Sequence, residues 1–536
     1  ANWMWPCNNE GEDARLYDAV KSVSDFAIAL GINVPTGKDS LSMKQKYKEG
    51  EVLSPGTVII SAAGHCDDIT KVVEPVLQKD GGSIYYINLS QDSFKLGGSS
   101  FAQILNKVGN EVPTIKDDAQ FANIFNTMQG LIKSDLILAG HDVASGGLIT
   151  TLLEMCFAEV NLGAHLDLSE INEQDPIKLL FNENCGIVFQ AKDDSVEQLL
   201  KDEKISFFKI GAPAEGNVLT IKNGNQNLEF NIPALRDTWY ETSFLLDEKQ
   251  SGIDMATQRF NNYKEQPLKF VFPKDFDGKL PEIDENKPRI KAAIIREKGS
   301  NSEREMARAM YLAGFDVKDV HMTDLISGRE TLEDIKFIAA VGGFSNSDVL
   351  GSAKGWAGGF LYNEKAGKAL ENFFKREDTL SVGVCNGCQL FIELGLINPE
   401  DLQKPKMLYN KSHKFECNFT SVEIQENNSV MLSSLAGSKL GIWAAHGEGR
   451  FSLPYEESKY NIVGKYGYTG YPANPNGSHY NIAMMTDVTG RHLVTMPHLE
   501  RSTFQWNWAY YPKGRKDEVS PWMEAFVNAR NWLEKK

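Results

Sequence analysis

The run at 380–390, Leu-Ser-Val-Gly-Val-Cys-Asn-Gly-Cys-Gln-Leu, constrains this chain more than any other stretch. A mostly apolar segment ends at Val384, a cysteine follows at once, and an amphipathic segment starts directly after it. That succession calls for a buried strand, a sharp turn and a helix start, the layout of a nucleophile elbow at the carboxyl edge of a sheet. Gly383 and Gly387 are expected to supply the strained dihedrals of the turn and to let a substrate approach the backbone. The helix N-terminus, with its free N–H groups, favours negative charge at Cys385.

The sequence around this run repeats the α/β alternation. Strands are expected at 290–295, 315–320 and 337–341, with a helix over 302–313 capped by Ser302 and by Glu305 at its third position. Gly342-Gly343-Phe344-Ser345 follows the third of these strands. Strands alternating with helices predict a doubly wound, mostly parallel sheet, whose ligands lie beyond the carboxyl ends of the strands. Near the C-terminus an apolar strand at 491–496 runs into Pro497-His498-Leu499-Glu500-Arg501. In an extended segment residues two apart share a side, so Glu500 is placed to hold one imidazole nitrogen of His498 while the other faces a thiol. The backbone N–H groups of Gly343 and Asn386 are suited to an oxyanion hole. Cys385, His498 and Glu500 are thus the candidate nucleophile, base and orienting acid.

Upstream, residues 13–30 carry apolar residues at helical spacing, closed by Gly31, and 57–63 reads as a short buried strand. Between them lies Pro35-Thr36-Gly37-Lys38-Asp39-Ser40-Leu41-Ser42-Met43, a polar loop in which Lys38, Asp39 and Ser40 offer an ammonium, amides and hydroxyls to a phosphate. It lacks the spacing of a P-loop. A second α/β unit covers 76–236, with strands at 83–89 and 136–139 and helices at 121–133 and 149–159. Its turn His141-Asp142-Val143-Ala144-Ser145-Gly146-Gly147-Leu148 reads either as a metal–phosphate site, with Asp142 on Mg²⁺, or as a capped turn. His141 is read as structural. Residues 237–288 look like a connector broken by Pro267, Pro273, Pro281 and Pro288, with Trp239, Phe260, Phe270 and Phe272 packing on a neighbouring surface.

The chain of 536 residues has a net charge of −16, which argues against a nucleic-acid groove or an anionic membrane surface. Seven scattered cysteines fit a reducing compartment, taken as the cytoplasm. No apolar run approaches the ~18 residues of a membrane span. The first residues, Ala1-Asn2-Trp3-Met4, give the expectation of an excised or processed piece.

Gly383-Val384-Cys385-Asn386-Gly387-Cys388-Gln389 resembles the signature of class I glutamine amidotransferases. Together with His446-Gly447-Glu448-Gly449-Arg450, Tyr471-Pro472-Ala473-Asn474-Pro475-Asn476-Gly477-Ser478 and the segment 496–501, it is similar to the large, single-chain phosphoribosylformylglycinamidine synthase family. Residues 1–4, 37–43 and 141–148 resemble the second of that family's two synthetase halves. The resemblance implies 1–75 as part of an N-terminal-type synthetase domain, 76–236 as a C-terminal-type one, 237–288 as connector and 289–536 as the amidotransferase. The whole is multidomain, α/β and α+β. It implies Cys385 attacking the glutamine amide, His498 and Glu500 completing the triad, and Gln389 positioning glutamine. It also implies glutamine, ATP, Mg²⁺ and formylglycinamide ribonucleotide as ligands of the full enzyme, with Lys38, Asp39, Ser40 and Ala144 near nucleotide and Asp142 near metal. The family turn has Ser-Asp where Ala144-Ser145 stand, and Tyr-Gly where Asn346-Ser347 stand. The half holding the family's catalytic synthetase site is missing, which makes that N-terminal half a partner. Other readings stay open: a C-x-x-C redox pair, a cysteine peptidase or esterase, and a scaffold silent without the missing half.

Overall fold

The structure, a computed structural model, describes residues 1–264, 268–284, 286–512 and 514–536. Pro267, one of the four connector prolines, lies outside the described residues. The chain divides into two compact units, Ala1–Tyr240 and Glu241–Lys536.

The first unit opens with a three-stranded sheet. Strand β1 (Asn2–Met4) pairs parallel with β2 (Lys38–Ser40) and antiparallel with β3 (Thr57–Ile59). Helix α1 (Glu12–Ala29) forms as its spacing predicts, yet none of its residues is buried. The strand expected over 57–63 stops at Ile59, and Ile59 and Ile60 are both half exposed, at 50% and 53%. Apolar residue type marked the segment, but among the described residues no layer covers Ile59 and Ile60. A seven-stranded sheet follows, built from β4 (Ile84–Asn88), β5 (Ile137–Val143), β6 (Leu162–Asp167), β7 (Gly186–Ala191), β8 (Phe208–Glu215), β9 (Val218–Asn223) and β10 (Gln226–Asn231). Their order is β10-β9-β6-β8-β4-β7-β5, antiparallel except where β9 meets β6. Helices α2 (Asp118–Lys133) and α3 (Gly147–Phe157) belong to this unit. The stretch from 140 to 143, read as part of a turn, continues strand β5, because Val143 pairs with Gly186.

Residues 237–262 are no irregular connector. Helix α4 (Ile232–Ser251) and helix α5 (Ile253–Asn262) run through them, since the prolines that break the pattern lie further on. Phe270 and Phe272 do pack as expected, with ring centroids 5.0 and 6.0 Å from Trp508.

The second unit is organised by nine strands: β11 (Ile290–Arg296), β12 (Phe315–His321), β13 (Phe337–Ala340), β14 (Leu380–Val384), β15 (Glu416–Ile424), β16 (Lys439–His446), β17 (Asn461–Tyr466), β18 (Ile482–Thr486) and β19 (His492–Thr495). In the order β12-β11-β13-β14-β19-β18-β17-β15-β16, the first five are parallel and the rest antiparallel. The doubly wound sheet is thus extended on one side by an antiparallel half. Every residue of β13 and β14 is buried, as strands covered by helices on both faces require. Helices α6 (Glu303–Leu312), α7 (Lys354–Leu361), α8 (Glu364–Lys375), α9 (Asn386–Glu393) and α10 (Trp522–Leu533), with a short helix at Met322–Ser327, belong to this unit. Ser302 precedes α6 in the left-handed region (φ 70°) and its side chain caps nothing, so the expected capping box does not form. Among the described residues no helix is long and apolar enough to cross a membrane.

Candidate active site

The register of two neighbouring parallel strands assembles the site. Val384, the last residue of β14, lies opposite Thr495, the last of β19. The Cys385 N–H then donates to the Thr495 carbonyl at 2.8 Å, so the cysteine is tied to the strand that leads to His498. Cys385 has φ 51° and ψ −105°, a conformation costing on the order of 1–3 kcal/mol for a residue with a Cβ. The strain sits on the cysteine and on neither flanking glycine: Gly383 and Gly387 have no positive φ. Their small size serves packing. A Cβ on Gly387 would stand 2.0 Å from the Ala340 carbonyl oxygen, and one on Gly383 would stand 2.6 Å from the Gly387 oxygen. Helix α9 starts against the backbone of β13 because both positions lack a side chain.

Past β19 the chain bends rather than staying extended. His498 forms an isolated bridge with Trp443, donating its N–H to the Trp443 carbonyl at 2.8 Å, and Glu500 lies in the turn beyond. The pairing expected from an extended segment is nevertheless present: His498 Nδ1 meets Glu500 Oε1 at 2.7 Å, with both side chains buried. Burial disfavours charge on the imidazole. The Glu500 carboxylate, with the neighbouring Cys385, outweighs it, and His498 is pushed up to about 10. For Glu500, burial works toward the neutral acid, but the His498 charge and hydrogen bond hold it below its ordinary range.

Cys385, His498, Gly343 and Gln389 line one cavity of about 180 Å³. Gly343, at φ 123°, lies in a bridge whose hydrogen bonds are made by Asn301 and Phe344, which leaves its own N–H out of that bridge. The Asn386 N–H belongs to the first turn of α9, where no carbonyl of the helix can reach it. The Asn386 side chain accepts from the Ser345 N–H at 3.2 Å and donates to Gln389 Oε1 at 2.9 Å, while Gln389 Nε2 donates to the Glu448 carbonyl at 2.8 Å. One buried network therefore sets the Gly-Gly-Phe-Ser turn, the start of α9 and the His-Gly-Glu-Gly loop against each other. Cys388 is fully buried and its thiol is raised well above the ordinary range by desolvation, as a packing residue would be.

The sequence reading gave no role to Asp348, nor to the His446 and Glu448 of the motif at 446–450, and all three line this cavity. Asp348 is raised by burial and by the nearby Glu448, and its Oδ1 has no partner among the described residues. The signal for it was weak: three successive non-glycine residues, Asn346, Ser347 and Asp348, take positive φ, which spacing does not show.

The nucleotide and metal candidates of the first unit are not gathered in this way. Lys38 and Asp39 are exposed on β2, where the Lys38 ammonium bonds its neighbour Ser40. Asp142 is exposed at the end of β5, within 3.4 Å of His141 Nδ1, and Ala144 is exposed beyond it. His141 itself is held by Glu154 at 3.1 Å, a structural role. No group of three or more His, Cys, Asp or Glu side chains placed to hold a metal ion occurs among the described residues.

A strained cysteine at a strand–helix elbow, a histidine–glutamate pair beyond the adjoining strand and a Gly-rich turn, the layout of a cysteine nucleophile with its base, lie together within residues 289–533. The same residues match the CobB/CobQ-like glutamine amidotransferase domain family. Residues 1–65 match the FGAR-AT PurM_N-like domain and 79–222 the AIR synthase related protein C-terminal domain. Over 99% of its length the chain is similar to phosphoribosylformylglycinamidine synthases, bearing out the resemblance read from the motifs. It is 39% identical to the probable enzyme of Arabidopsis thaliana, described as chloroplastic/mitochondrial, and covers 40% of it. It is 37% identical to the Homo sapiens enzyme and covers 42% of that. The chain thus spans about two fifths of the length of these relatives. Among solved structures, PurLQS from Thermotoga maritima aligns over 46% of this chain and 100% of its own, at 26% identity and TM-score 0.36.

Proposed function

We propose that this chain carries the glutaminase half of a phosphoribosylformylglycinamidine synthase. The observation that carries the reading is the buried His498–Glu500 pair, 2.7 Å apart, lining one cavity with a Cys385 held in an elbow conformation. The Cys385 thiolate attacks the side-chain amide carbon of glutamine, and the oxyanion is received by the N–H groups of Gly343 and Asn386. His498, protonated beside Glu500, gives its proton to the departing ammonia, leaving a γ-glutamyl thioester. It then takes a proton from water, whose oxygen attacks the thioester, and glutamate leaves with Cys385 restored. Gln389, fixed at both ends of its amide, positions the bound glutamine.

In the whole synthase the ammonia serves the ATP-dependent conversion of formylglycinamide ribonucleotide to formylglycinamidine ribonucleotide. On this reading residues 1–75 and 76–236 are the synthetase parts, 289–536 the amidotransferase, and the missing N-terminal half is the partner. ATP and Mg²⁺ belong to the full enzyme, and no step is assigned to Lys38, Asp39, Ser40, Asp142 or Ala144. The seven free thiols suit a reducing cytoplasmic setting. The test is glutamate release from glutamine by the chain and by Cys385→Ala, alone and after addition of the N-terminal half. Cys385-dependent release is expected. Release that survives Cys385→Ala refutes the assignment.

A further inference from the structure

The motif at 471–478 has no member in the triad, yet one of its side chains reaches it. Asn476 is fully buried, and its surroundings fix which way its amide points. Its Oδ1 accepts from the Ser478 N–H at 3.0 Å and from the Ser478 hydroxyl at 2.6 Å. The Ser478 oxygen in turn accepts the Phe451 N–H at 2.9 Å, so its single proton is committed to Asn476. The nitrogen end of the amide therefore faces the Tyr466 hydroxyl at 3.2 Å and His446 Nε2 at 3.4 Å. An amide nitrogen only donates. His446 Nε2 must accept, which puts the imidazole proton on Nδ1, an atom with no partner among the described residues. A doubly protonated ring would set one N–H against another.

His446 lines the same cavity as Cys385, His498 and Glu448, and Asn476 stands behind it. We propose that Asn476 is a positioning residue for the Cys385–His498 pair, holding His446 in its Nδ1–H form so that His498 is the only charged imidazole in the site. Burial and the charge of His498 point the same way, pushing His446 down to about 4. A second positive ring beside His498 would disfavour the imidazolium that protonates the leaving ammonia. The inference rests on the amidotransferase reading above, but its first test does not need turnover.

The decisive variant is Asn476→Asp, which keeps the oxygen that Ser478 requires and puts an acceptor where the donor stood. Histidine ¹⁵N spectra of the full chain, assigned with His446→Gln, are recorded from pH 5 to 11. In the wild type His446 is expected neutral and protonated on Nδ1 throughout. In Asn476→Asp it becomes a cation at pH 6, and His498 loses its proton at lower pH than in the wild type. Glutamate release by the variant is expected to fall at pH 6, where His446 is a cation, and to recover as rising pH removes that charge. The double variant with His446→Gln removes that acid limb. A wild-type His446 protonated on Nε2 overturns the inference, as does an unmoved His498 or a loss of activity parallel at every pH. A wild type that releases no glutamate overturns the proposed function instead, whatever the tautomer.

Discussion

Gly342 is the position at which a single methyl group tests the site geometry most directly. A Cβ built there lies 2.8 Å from His498 Cε1, 3.4 Å from the Cys385 Cβ and 3.7 Å from His498 Nδ1. Its φ lies outside the left-handed region, so alanine meets no backbone penalty. Carbon–carbon contact becomes favourable near 3.5 Å, so the ring must retreat by roughly 0.7 Å. It has little freedom to do so, because Glu500 holds Nδ1 at 2.7 Å and the Trp443 carbonyl holds the His498 N–H at 2.8 Å. Displacements of about 1 Å at a reacting centre cost ~100-fold, and overpacking costs about 1–3 kcal/mol. Gly342→Ala is therefore expected to lower the rate of glutamate release ~10- to 100-fold in a protein that still unfolds cooperatively. Gly358→Ala on α7, whose Cβ meets nothing closer than 3.8 Å, is the matched control and keeps the wild-type rate. The assay is steady-state glutamate production beside thermal unfolding followed by circular dichroism. A Gly342→Ala protein with wild-type kcat would refute the argument that His498 works from the position it occupies here.

Other perturbations follow from the same contacts. Glu500→Gln removes the charge that holds the proton on His498, so the imidazole is expected to titrate lower and glutamate release to fall by at least ~100-fold, read from a pH–rate profile. Because His498 is raised to about 10 from an unfolded value near 6.5, its pairing stabilises the fold fully below pH ~6.5 and is lost as pH rises toward 10. The unfolding temperature should drop over that window, and the drop should shrink in His498→Gln. His446, depressed to about 4, acts with the opposite sign: the unfolded chain takes up its proton first, so stability falls as pH drops from ~6.5 to 4. Gly387→Ala sets a methyl 2.0 Å from a backbone oxygen, and soluble folded protein should be lost or destabilised by more than ~3 kcal/mol, measured by denaturant titration.

Much of the second unit was legible from residue order. The strand ending at Val384, the cysteine beyond it and the His-x-Glu pair were placed by apolar runs and spacing alone. What escaped was conformation rather than identity. Nothing in the letters says that Cys385 bears the positive φ while its glycine neighbours keep ordinary backbone, because close approach of α9 to β13 demands small residues for a different reason. The His498–Glu500 contact was expected on a strand and arises from a bend, since two residues of either geometry bring the side chains within reach. Asp348 and His446 joined the cavity through long-range packing, which no local period encodes. In the first unit residue type misled. The apolar run at 57–63 ends as a strand after Ile59 with its isoleucines exposed.

The pairing of β14 with β19 carries a consequence for how such a chain tolerates change. The nucleophile and its base are neighbours because two strand ends share a ladder position, Val384 opposite Thr495, and the long stretch of chain between them does not set that spacing. Loops on the antiparallel side can then lengthen, shorten or be cut and rejoined without altering the distance across which the proton moves. A one-residue slip of that single ladder would shift every partner by ~3.3 Å and turn each side chain to the opposite face. Insertions near 398–405, far along the chain from both strands, should be accepted freely, whereas one residue added at 491 should silence the thiol outright.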